Sequence, residues 1–480
     1  MNRREFLQGM AAVAALHTIP FVAQAAKLLP WSIGFDGVEE DLPPLAMRVQ
    51  GQLPAECAGR LYRNGPARYQ RGGRRYEHWF DPDGMVQAFD LSPQGVSHRG
   101  RFVKTAKLAQ ENKEGRFLFR GAGTNFEDQL PQRNNEDGNV ANINIQPLAG
   151  ELVALWEAGS AHRIDPQTLE TKGVMTFSDE LKGVPFSAHP HLDERGDMWN
   201  IGSVPFGAKP MLVLYHLSAQ GKLLNSRLHH LDFAGYMHDF VLTPRYLIAL
   251  NSSAVLGEGS SFVGRIHWEA SRASQLLIFD RNDLSLAATV EVPPTFVFHF
   301  GNGWEEGDTL NFTACEYADS SIVTDGMRRY ARQESGPYHN DPELVRYTVS
   351  LRSLAARKER LGLAMEFPSY DSRKPFEAQA LLGAAGQDKS EANLASAVVR
   401  VDPQSGERDS FDYGEGVIVE EPLYVPGAEG GYALHSYLDY AKARSGIAVL
   451  RSADLASGPV MTAEMDRVLP LGFHGCFLRS

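Results

Sequence analysis

The sequence predicts an all-β fold built from many short strands, and three observations favour it. Apolar or alternating runs of about strand length recur along the chain, as in ELVALWEAG (151–159) and KPMLVLYHLS (209–218). Gly, Pro, Asp and Asn break these runs at short intervals, which is typical of antiparallel strands joined by tight turns. Segments with a helical period are few. A sandwich, a barrel or a propeller would fit this pattern.

The length of the chain favours the propeller. Propeller blades need about 40–50 residues each, and a chain of 480 residues is long enough for seven blades with insertions. The sequence shows no exact repeat, and no Gly/Ser linker or block of charge divides it. We therefore expect residues 26–480 to form a single domain.

Individual elements follow from local patterns. Thr243–Arg245 (TPR) separates two apolar runs and predicts a hairpin turn, as does FDRNDLS (279–285). The clearest helix-period segment is LVRYTVSLRSLAARKERLG (344–362), whose first half also fits a strand. Residues 127–139 are polar and rich in Asn, so we expect a loop there.

The first 25 residues resemble a twin-arginine export signal. Arg3 and Arg4 form a charged start, an apolar stretch runs from Met10 to Val22, and Ala-Gln-Ala at 23–25 fits a cleavage site. The apolar stretch is too short to span a bilayer. An amphipathic N-terminal helix is the alternative, but these features occur in the order that a signal requires. We therefore expect an exported, periplasmic protein.

Charge and cysteine content exclude several function classes. The net charge of −12 disfavours nucleic acid and anionic lipid as partners. The three cysteines, Cys57, Cys315 and Cys476, form no CxxC pair, which excludes thiolate zinc sites and thioredoxin chemistry. We expect them to be buried, free thiols. Dinucleotide, P-loop, HExxH and GxSxG motifs are absent, and DPDG (81–84) starts like a calcium loop but lacks the later ligands.

Four histidines lie in short apolar stretches: His189, His238, His299 and His474. The first two gaps, of 49 and 61 residues, are each about one blade long. Since the innermost strand of every blade lines the propeller axis, one histidine on each of several inner strands would converge there. Imidazole is the commonest side-chain ligand for metals. His474 lies in GFHGCF, close to a chain end that would ordinarily fray.

Spacing alone leaves other readings open. A histidine in apolar surroundings is more often a satisfied core residue than a ligand. His191 would share a strand face with His189, and spacing does not exclude His78, His229, His230 or His267.

The motifs of this chain, in their order, resemble those of the carotenoid cleavage oxygenase family, which also contains stilbene-cleaving dioxygenases and a retinoid isomerohydrolase. The resemblance covers nearly all of residues 26–480. The motifs are LYRNGPARY (61–69), HWFDPDGM (78–85), GNVANINI (138–145), LVALWEAG (152–159), SAHPHLD (187–193), MHDF (237–240), FVFHFGNGWEEGD (296–308), MEFPSYD (365–371), EEPLYVP (420–426) and LPLGFHGCF (469–477).

The resemblance implies a seven-bladed β-propeller with a cap of loops and short helices over the metal-containing face. It further implies Fe(2+) held by four histidines, three of which donate to glutamates. By the family pattern His189 is the ligand without a glutamate. Glu420, which is adjacent to Glu421, is the alternative candidate for the third glutamate. The implied ligands are His189, His238, His299 and His474, and the implied glutamates are Glu157, Glu366 and Glu421.

This residue set is chemically coherent. A metal-bound imidazole needs its other N–H anchored, which fixes its tautomer and orientation. Four neutral ligands leave the charge of the ion uncompensated, and nearby carboxylates would balance it. Four ligands on an octahedral ion leave positions open for O2, as in other non-haem iron oxygenases.

Three departures from the family pattern stand out. Ile143 replaces a threonine that faces the iron in many members, which makes the site more apolar. The segment 427–431 (GAEGG) replaces an acidic pair before Gly, and Pro82 replaces a glycine in a turn.

The resemblance implies a dioxygenase that cleaves a carbon–carbon double bond of a carotenoid or apocarotenoid with O2, giving carbonyl products. A stilbenoid of the lignostilbene type is the alternative substrate, for which Lys104, Tyr76 or Lys113 would grip the phenol. A non-catalytic propeller that binds an apolar ligand, or an isomerase or hydrolase on the same scaffold, is a further alternative. The expected partners are a small apolar alkene and O2, with peripheral membrane contact at the tunnel mouth.

Overall fold

The structure is a computed structural model that describes residues 29–207, 209–336, 340–386 and 394–480. Seven antiparallel sheets of four to six strands follow one another around a ring, and we number them as blades 1 to 7. The prediction of an all-β, seven-bladed propeller is confirmed. The proposed export signal lies outside the described residues.

Blades 1 to 5 each consist of four strands that follow one another in the sequence. Blade 1 has Asn144–Leu148, Glu151–Leu155, His162–Ile164 and Thr171–Val174; blade 2 has His191–Leu192, Met198–Val204, Met211–Leu217 and Leu223–His230; blade 3 has Phe240–Leu242, Tyr246–Asn251, Ser274–Asp280 and Leu286–Val292. Blade 4 has Phe296–Glu306, Thr309–Tyr317, Glu343–Ser350 and Ala355–Arg360; blade 5 has Glu366–Ser369, Leu381–Ala385, Ala397–Val401 and Arg408–Asp412.

Blades 6 and 7 combine strands from both ends of the chain, which closes the ring. The C-terminal strand pairs antiparallel with Gly59–Arg68, and Arg48–Gly51 pairs with Pro459–Met465. The C-terminus is therefore fixed in a sheet. Blade 6 has Val417–Val419, Leu423–Val425, Tyr432–Asp439, Arg444–Arg451, Pro459–Met465 and Arg48–Gly51; blade 7 has His474–Arg479, Gly59–Arg68, Asp83–Ser92, Gly95–Phe102 and Leu42–Ala46.

Helices and ribbons occupy the connections. The helix Ala106–Glu114 begins at Thr105, whose side chain accepts from the Leu108 N–H, and ends at Gly115 in the left-handed conformation. A π-helical turn, Ile322–Gly326, runs into the short helix Met327–Arg332 between strands of blade 4. The remaining elements are the two-stranded ribbons Gln70–Arg71 with Arg74–Arg75 and Ala254–Leu256 with Ile266–Trp268, and the 3₁₀ turns Pro30–Phe35, Ala55–Cys57, Asn135–Asp137, Val263–Arg265, Ala428–Gly430 and Leu455–Ser457.

The core lies between neighbouring blades. Val241 and Ile248 of blade 3 pack with Phe300, Leu310 and Phe312 of blade 4 in one buried cluster. Because both faces of the inner strands of a blade are buried, strands such as Tyr246–Asn251 appear in the sequence as continuous apolar runs, whereas outer strands such as Gly95–Phe102 alternate. Among the described residues, no helix combines the length and hydrophobicity that crossing a bilayer demands.

The turn predictions are confirmed, whereas the helix reading of 344–362 is wrong. Thr243–Arg245 and the end of FDRNDLS both connect paired strands. The segment 344–362 forms a hairpin that turns at Leu354, where φ is 50°. The three cysteines are buried and free, as predicted.

The sequence pattern also gave no sign of helix Ala106–Glu114. Its buried face carries Lys107, Leu108 and Glu111 rather than an apolar stripe. The Lys107 ammonium donates to Asp83 and Glu111, each at 2.9 Å, so an ion network takes the place of hydrophobic packing.

Candidate metal centre

Four imidazoles lie together where the first strands of four blades meet. His189 and His238 each stand two residues before the first strand of their blade, His299 lies within one, and His474 begins one. The four residues belong to blades 2, 3, 4 and 7, and all are buried. The first strands are therefore the innermost ones, and they deliver these side chains to the axis of the ring. We call these residues the four-histidine centre.

The nitrogen atoms of the four-histidine centre converge on one point. One nitrogen from each ring lies within 4.8 Å of the corresponding atom of every other ring. The His299 Nε2 and His474 Nε2 atoms are 3.1 Å apart. The ring centroids of His189 and His238 are 4.3 Å apart. The structure thus brings together the four residues that the sequence predicted as ligands.

Three of the imidazoles contact a glutamate through Nδ1, which leaves Nε2 to face the centre. A carboxylate in this position accepts the Nδ1 proton and fixes the tautomer. The pairs are Glu157 with His238, Glu366 Oε2 with His299 at 2.6 Å, and Glu421 Oε1 with His474 at 2.8 Å.

Each glutamate is itself held in place. The Tyr236 hydroxyl donates to Glu157 at 2.8 Å, and the Phe367 backbone N–H donates to Glu366 Oε2 at 3.0 Å. Glu421 Oε2 accepts from Arg63 Nη1 at 2.5 Å and from the Gly475 N–H at 2.8 Å. These contacts restrict the carboxylates and, through them, the imidazoles.

Of the two neighbouring candidates, Glu421 contacts His474 and Glu420 does not. Glu420 accepts from the Gly472 N–H at 2.5 Å and from the Ser436 hydroxyl. The alternative assignment of Glu420 as the partner of His474 is therefore wrong. Glu420 instead holds the backbone just before the strand that begins with His474.

The donor set fits a metal ion. When both rings are neutral, with Nδ1 protonated against the glutamates, the Nε2 atoms of His299 and His474 lie 3.1 Å apart with lone pairs that face each other, so neither can donate to the other. Within the described residues, buried His189 Nε2 has no hydrogen-bond partner. A cation among these atoms would satisfy all of them.

The electrostatics keep two of the imidazoles neutral. Burial lowers the pKa of His474 to about 4, although Glu421 opposes the change, and burial beside three other imidazoles lowers the pKa of His189 well below its usual value. Burial also favours the neutral form of His299, but nearby carboxylates, Glu366 first, outweigh it and raise its pKa. The pKa of Glu421 is lowered, despite burial, by His474 and Arg63.

The other histidines that spacing left open lie outside the centre. His191 Nε2 contacts Asp239 at 2.8 Å, and His78 Nε2 contacts the Val323 carbonyl at 2.8 Å. His267 Nε2 contacts a backbone carbonyl at a ribbon. His229 and His230 belong to the outer strand of blade 2.

A mainly apolar cavity of about 340 Å³ ends at the four-histidine centre. Three of the histidines line it, and so does Ile143, which replaces the threonine of the family pattern. The π-helical turn and the short helix after it supply part of its wall. Its aromatic and long apolar lining residues are Trp79, Phe80, Phe298, Tyr317, Ile322, Met327, Tyr330, Met365, Phe367, Leu394 and Phe473.

The three suggested phenol-gripping residues do not line this cavity. Tyr76 is fully buried near Phe117 and Lys107, and Lys104 and Lys113 are exposed on the surface. The prediction for these three residues is therefore wrong. Polar lining groups come instead from Tyr317, Tyr330, Asn340 and Asp341, which no sequence signal had marked.

Comparison with known proteins agrees with this architecture. A family model described as retinal pigment epithelial membrane protein matches residues 35–479. Apocarotenoid-15,15'-oxygenase of Synechocystis sp. is 28% identical, with 94% of this chain and 96% of that protein aligned. Isoeugenol monooxygenase of Pseudomonas nitroreducens is also 28% identical, over 92% of this chain and 95% of its own length.

Two further similarities bear on the site. Lignostilbene-alpha,beta-dioxygenase isozyme III of Sphingomonas paucimobilis is 26% identical, covering 91% of this chain and 94% of that protein. A crystal structure of cobalt-substituted Synechocystis apocarotenoid oxygenase superimposes with a TM-score of 0.84 at 25% identity, covering 94% of this chain and 98% of that chain.

Proposed function

The chain belongs to the carotenoid cleavage oxygenase family, whose model is named for the retinal pigment epithelial membrane protein, and we propose that it is a Fe(2+)-dependent dioxygenase of carotenoids or apocarotenoids. The observation that carries this proposal is the four-histidine centre, with three carboxylate partners, at the end of an apolar cavity. Cleavage would divide one carbon–carbon double bond, and the two atoms of O2 would end in two carbonyl products.

Iron is the proposed metal because the chemistry requires redox activity. Imidazole donors suit zinc, copper, iron and nickel alike. Zinc has no redox chemistry, whereas relatives are named dioxygenases. When bound by His189, His238, His299 and His474, Fe(2+) would supply the activation of O2. The three glutamates would fix the tautomer and orientation of His238, His299 and His474.

The cavity supports an apolar, elongated substrate. Burial of apolar surface contributes about 25 cal/mol per Å², and the aromatic wall around Phe298 and Phe473 excludes water from the reacting bond. Ile143 adds an apolar group beside the centre. These features favour a carotenoid or apocarotenoid over a phenolic stilbenoid, which remains the second candidate because hydroxyl-bearing Tyr317 and Tyr330 also line the cavity.

The test combines metal analysis with oxygen uptake on an apocarotenal and on a hydroxystilbene. We expect about one iron per chain and one O2 consumed per pair of carbonyl products, with faster turnover of the apocarotenal. His238→Ala is the matched inactive variant. Binding without oxygen uptake would favour the non-catalytic propeller, and a changed product without oxygen uptake would favour an isomerase or hydrolase.

The proposal extends to export in the folded state. The paired arginines at the start of the chain support it, since twin-arginine export would let the iron load in the reducing cytoplasm. Changing Arg3 and Arg4 to Lys should remove active enzyme from the periplasm, as measured by cell fractionation and oxygen uptake. Active enzyme that still reaches the periplasm in this variant would contradict the proposal.

A further inference from the structure

The first strand of blade 5 contains a β-bulge next to the four-histidine centre. Glu366 pairs with Ala384, and Ser369 pairs with Leu382. Between these two pairs, the first strand of blade 5 therefore has one residue more than its partner strand. Such an extra residue bends the strand and changes where side chains point, and bulges are enriched beside active sites.

The bulge holds Phe367 in a backbone conformation that its side chain disfavours. Its φ is 57°, in the left-handed region where glycine is the unstrained residue. A bulky residue with such a φ is an outlier. Strained residues of this kind persist only where their surroundings fix them, and they cluster at functional sites.

The strained geometry brings two consecutive side chains to the same histidine. In a regular strand, neighbouring side chains point to opposite faces. Here the Glu366 carboxylate contacts His299 Nδ1 at 2.6 Å, and the Phe367 ring centroid lies 5.2 Å from the His299 ring. The same ring lies 5.3 Å from His474 and forms part of the cavity wall.

We propose that Phe367 is a specificity-determining residue whose ring packs against the conjugated chain of the substrate and sets which double bond lies at the four-histidine centre. This inference rests on the proposed function and names one contact within it. A ring fixed by the bulge makes a rigid reference point, because its backbone cannot relax without disturbing Glu366. An aromatic face suits an extended, planar, conjugated alkene, since ring pairs prefer offset or edge-on contacts.

Two substitutions separate the ring from the strain. Phe367→Gly removes the ring and relieves the backbone, whereas Phe367→Leu removes the aromatic face and keeps the strain. In both we expect an apocarotenal to bind about two- to tenfold more weakly to the zinc-loaded protein. Quenching of tryptophan fluorescence would measure this binding. In the iron enzyme, we expect one dominant cleavage product to give way to a mixture.

Leu354→Gly is the matched control for strain. Leu354 also has a left-handed φ, of 50°, but lies in an exposed turn outside the cavity lining. We expect unchanged binding and products in this variant, and a melting temperature at or above wild type, because glycine relieves the left-handed backbone at an exposed position.

The outcomes distinguish the two proposals. Weaker binding in both Phe367 variants, with a mixed product pattern, supports the inference. Wild-type binding and a single product in both variants overturn it, whatever their melting temperatures. If the wild type cleaves no alkene, the proposed function fails. In that case weaker binding in both Phe367 variants would still support the ring contact, and unchanged binding would overturn it.

Discussion

Two groups of side chains in the described residues are close enough to hold a metal, and they differ in what their polar atoms already bind. One is the four-histidine centre. The other, which we call the aspartate–histidine group, consists of Asp193, Asp197 and His216 in blade 2. Residue type and distance alone would not separate them.

The donors of the aspartate–histidine group are already engaged by the protein. Asp193 Oδ2 accepts from Arg281 Nη2 at 2.6 Å and from Trp199 Nε1 at 3.1 Å. His216 Nε2 contacts Asp197 Oδ2 at 3.1 Å, and its ring stacks on Trp199. In the four-histidine centre, by contrast, within the part of the chain that the structure describes, His189 Nε2 has no hydrogen-bond partner and the Nε2 atoms of His299 and His474 contact only each other, at 3.1 Å. Buried lone pairs without a donor therefore identify a metal site better than clustered ligand-type residues do.

The largest expected effect comes from removing one donor in each group. His238→Ala should abolish iron binding and oxygen uptake together, because it breaks a four-donor set. His216→Ala should leave iron content unchanged. Metal analysis of both purified variants is the measurement. Full iron content in His238→Ala would contradict the distinction.

Exchanging neighbouring glutamates should have the next largest effect. Glu421→Gln should lower iron affinity about 10- to 100-fold, because the His474 N–H loses its anionic acceptor. Glu420→Gln, which alters only the contacts to Gly472 and Ser436, should keep iron affinity within about twofold. Chelator competition measures both variants. An equal loss of iron affinity in the two variants would contradict this prediction. It would show that both carboxylates act by holding the local backbone, and that the contact of Glu421 with His474 has no separate effect.

Proton competition should weaken iron binding as the pH falls. In the metal-free protein the pKa of His299 is raised, so its proton is bound more tightly than in an ordinary histidine. Iron needs the neutral ring, so affinity should be complete above this raised pKa and fall about tenfold per pH unit below it. Because the pKa values of His474 and His189 are lowered, these residues would add to the loss only at lower pH.

Chelator competition from about pH 9 down to about pH 5 measures this dependence. Glu366→Gln is the control, because removal of the leading carboxylate should shift the loss toward lower pH. An affinity that stays constant over this range would contradict the prediction.

The smallest effect on iron binding is expected from a change in the aspartate–histidine group, which should alter stability instead. Arg281→Met would leave the buried Asp193 carboxylate with only the largely exposed Arg195 guanidinium, 3.5 Å away, which should lower the free energy of unfolding by about 3 kcal/mol. If the Arg281 guanidinium occupies the place of a metal ion beside Asp193, Mn²⁺ at millimolar concentration should partly restore the melting temperature of the variant. No response to Mn²⁺ would show that the geometry, rather than the arginine, excludes metal from this group.

The sequence predicted the fold and the members of the site well where pattern and motif agreed. Short apolar runs with tight turns indicated stacked blades, and the motif order indicated His189, His238, His299 and His474 over His191 and the others. The choice of Glu421 over Glu420 needed coordinates. The two residues lie between the strands Val417–Val419 and Leu423–Val425, where no strand pattern shows which side chain faces inward.

Other features could not be predicted for identifiable physical reasons. The helix Ala106–Glu114 shows no apolar stripe because the burial of Lys107 and Glu111 depends on their ion pair with each other and on the contact of Lys107 with Asp83, which lies outside the helix. Tyr317 is the last residue of a strand of blade 4, and Asn340 lies in the long connection after it, so no strand alternation marks either residue as lining the cavity. Phe367 lies in a bulge, and bulges depend on how two strands are paired rather than on either sequence alone.

Ring closure has a consequence for biosynthesis. Of the strands that deliver the four histidines, the one that delivers His474 leaves the ribosome after the other three, and it must anneal to Gly59–Arg68, made hundreds of residues earlier. A nascent or prematurely terminated chain lacks one of the four proposed ligands. Metal loading would thus report that the His474 strand has been made and has paired with Gly59–Arg68.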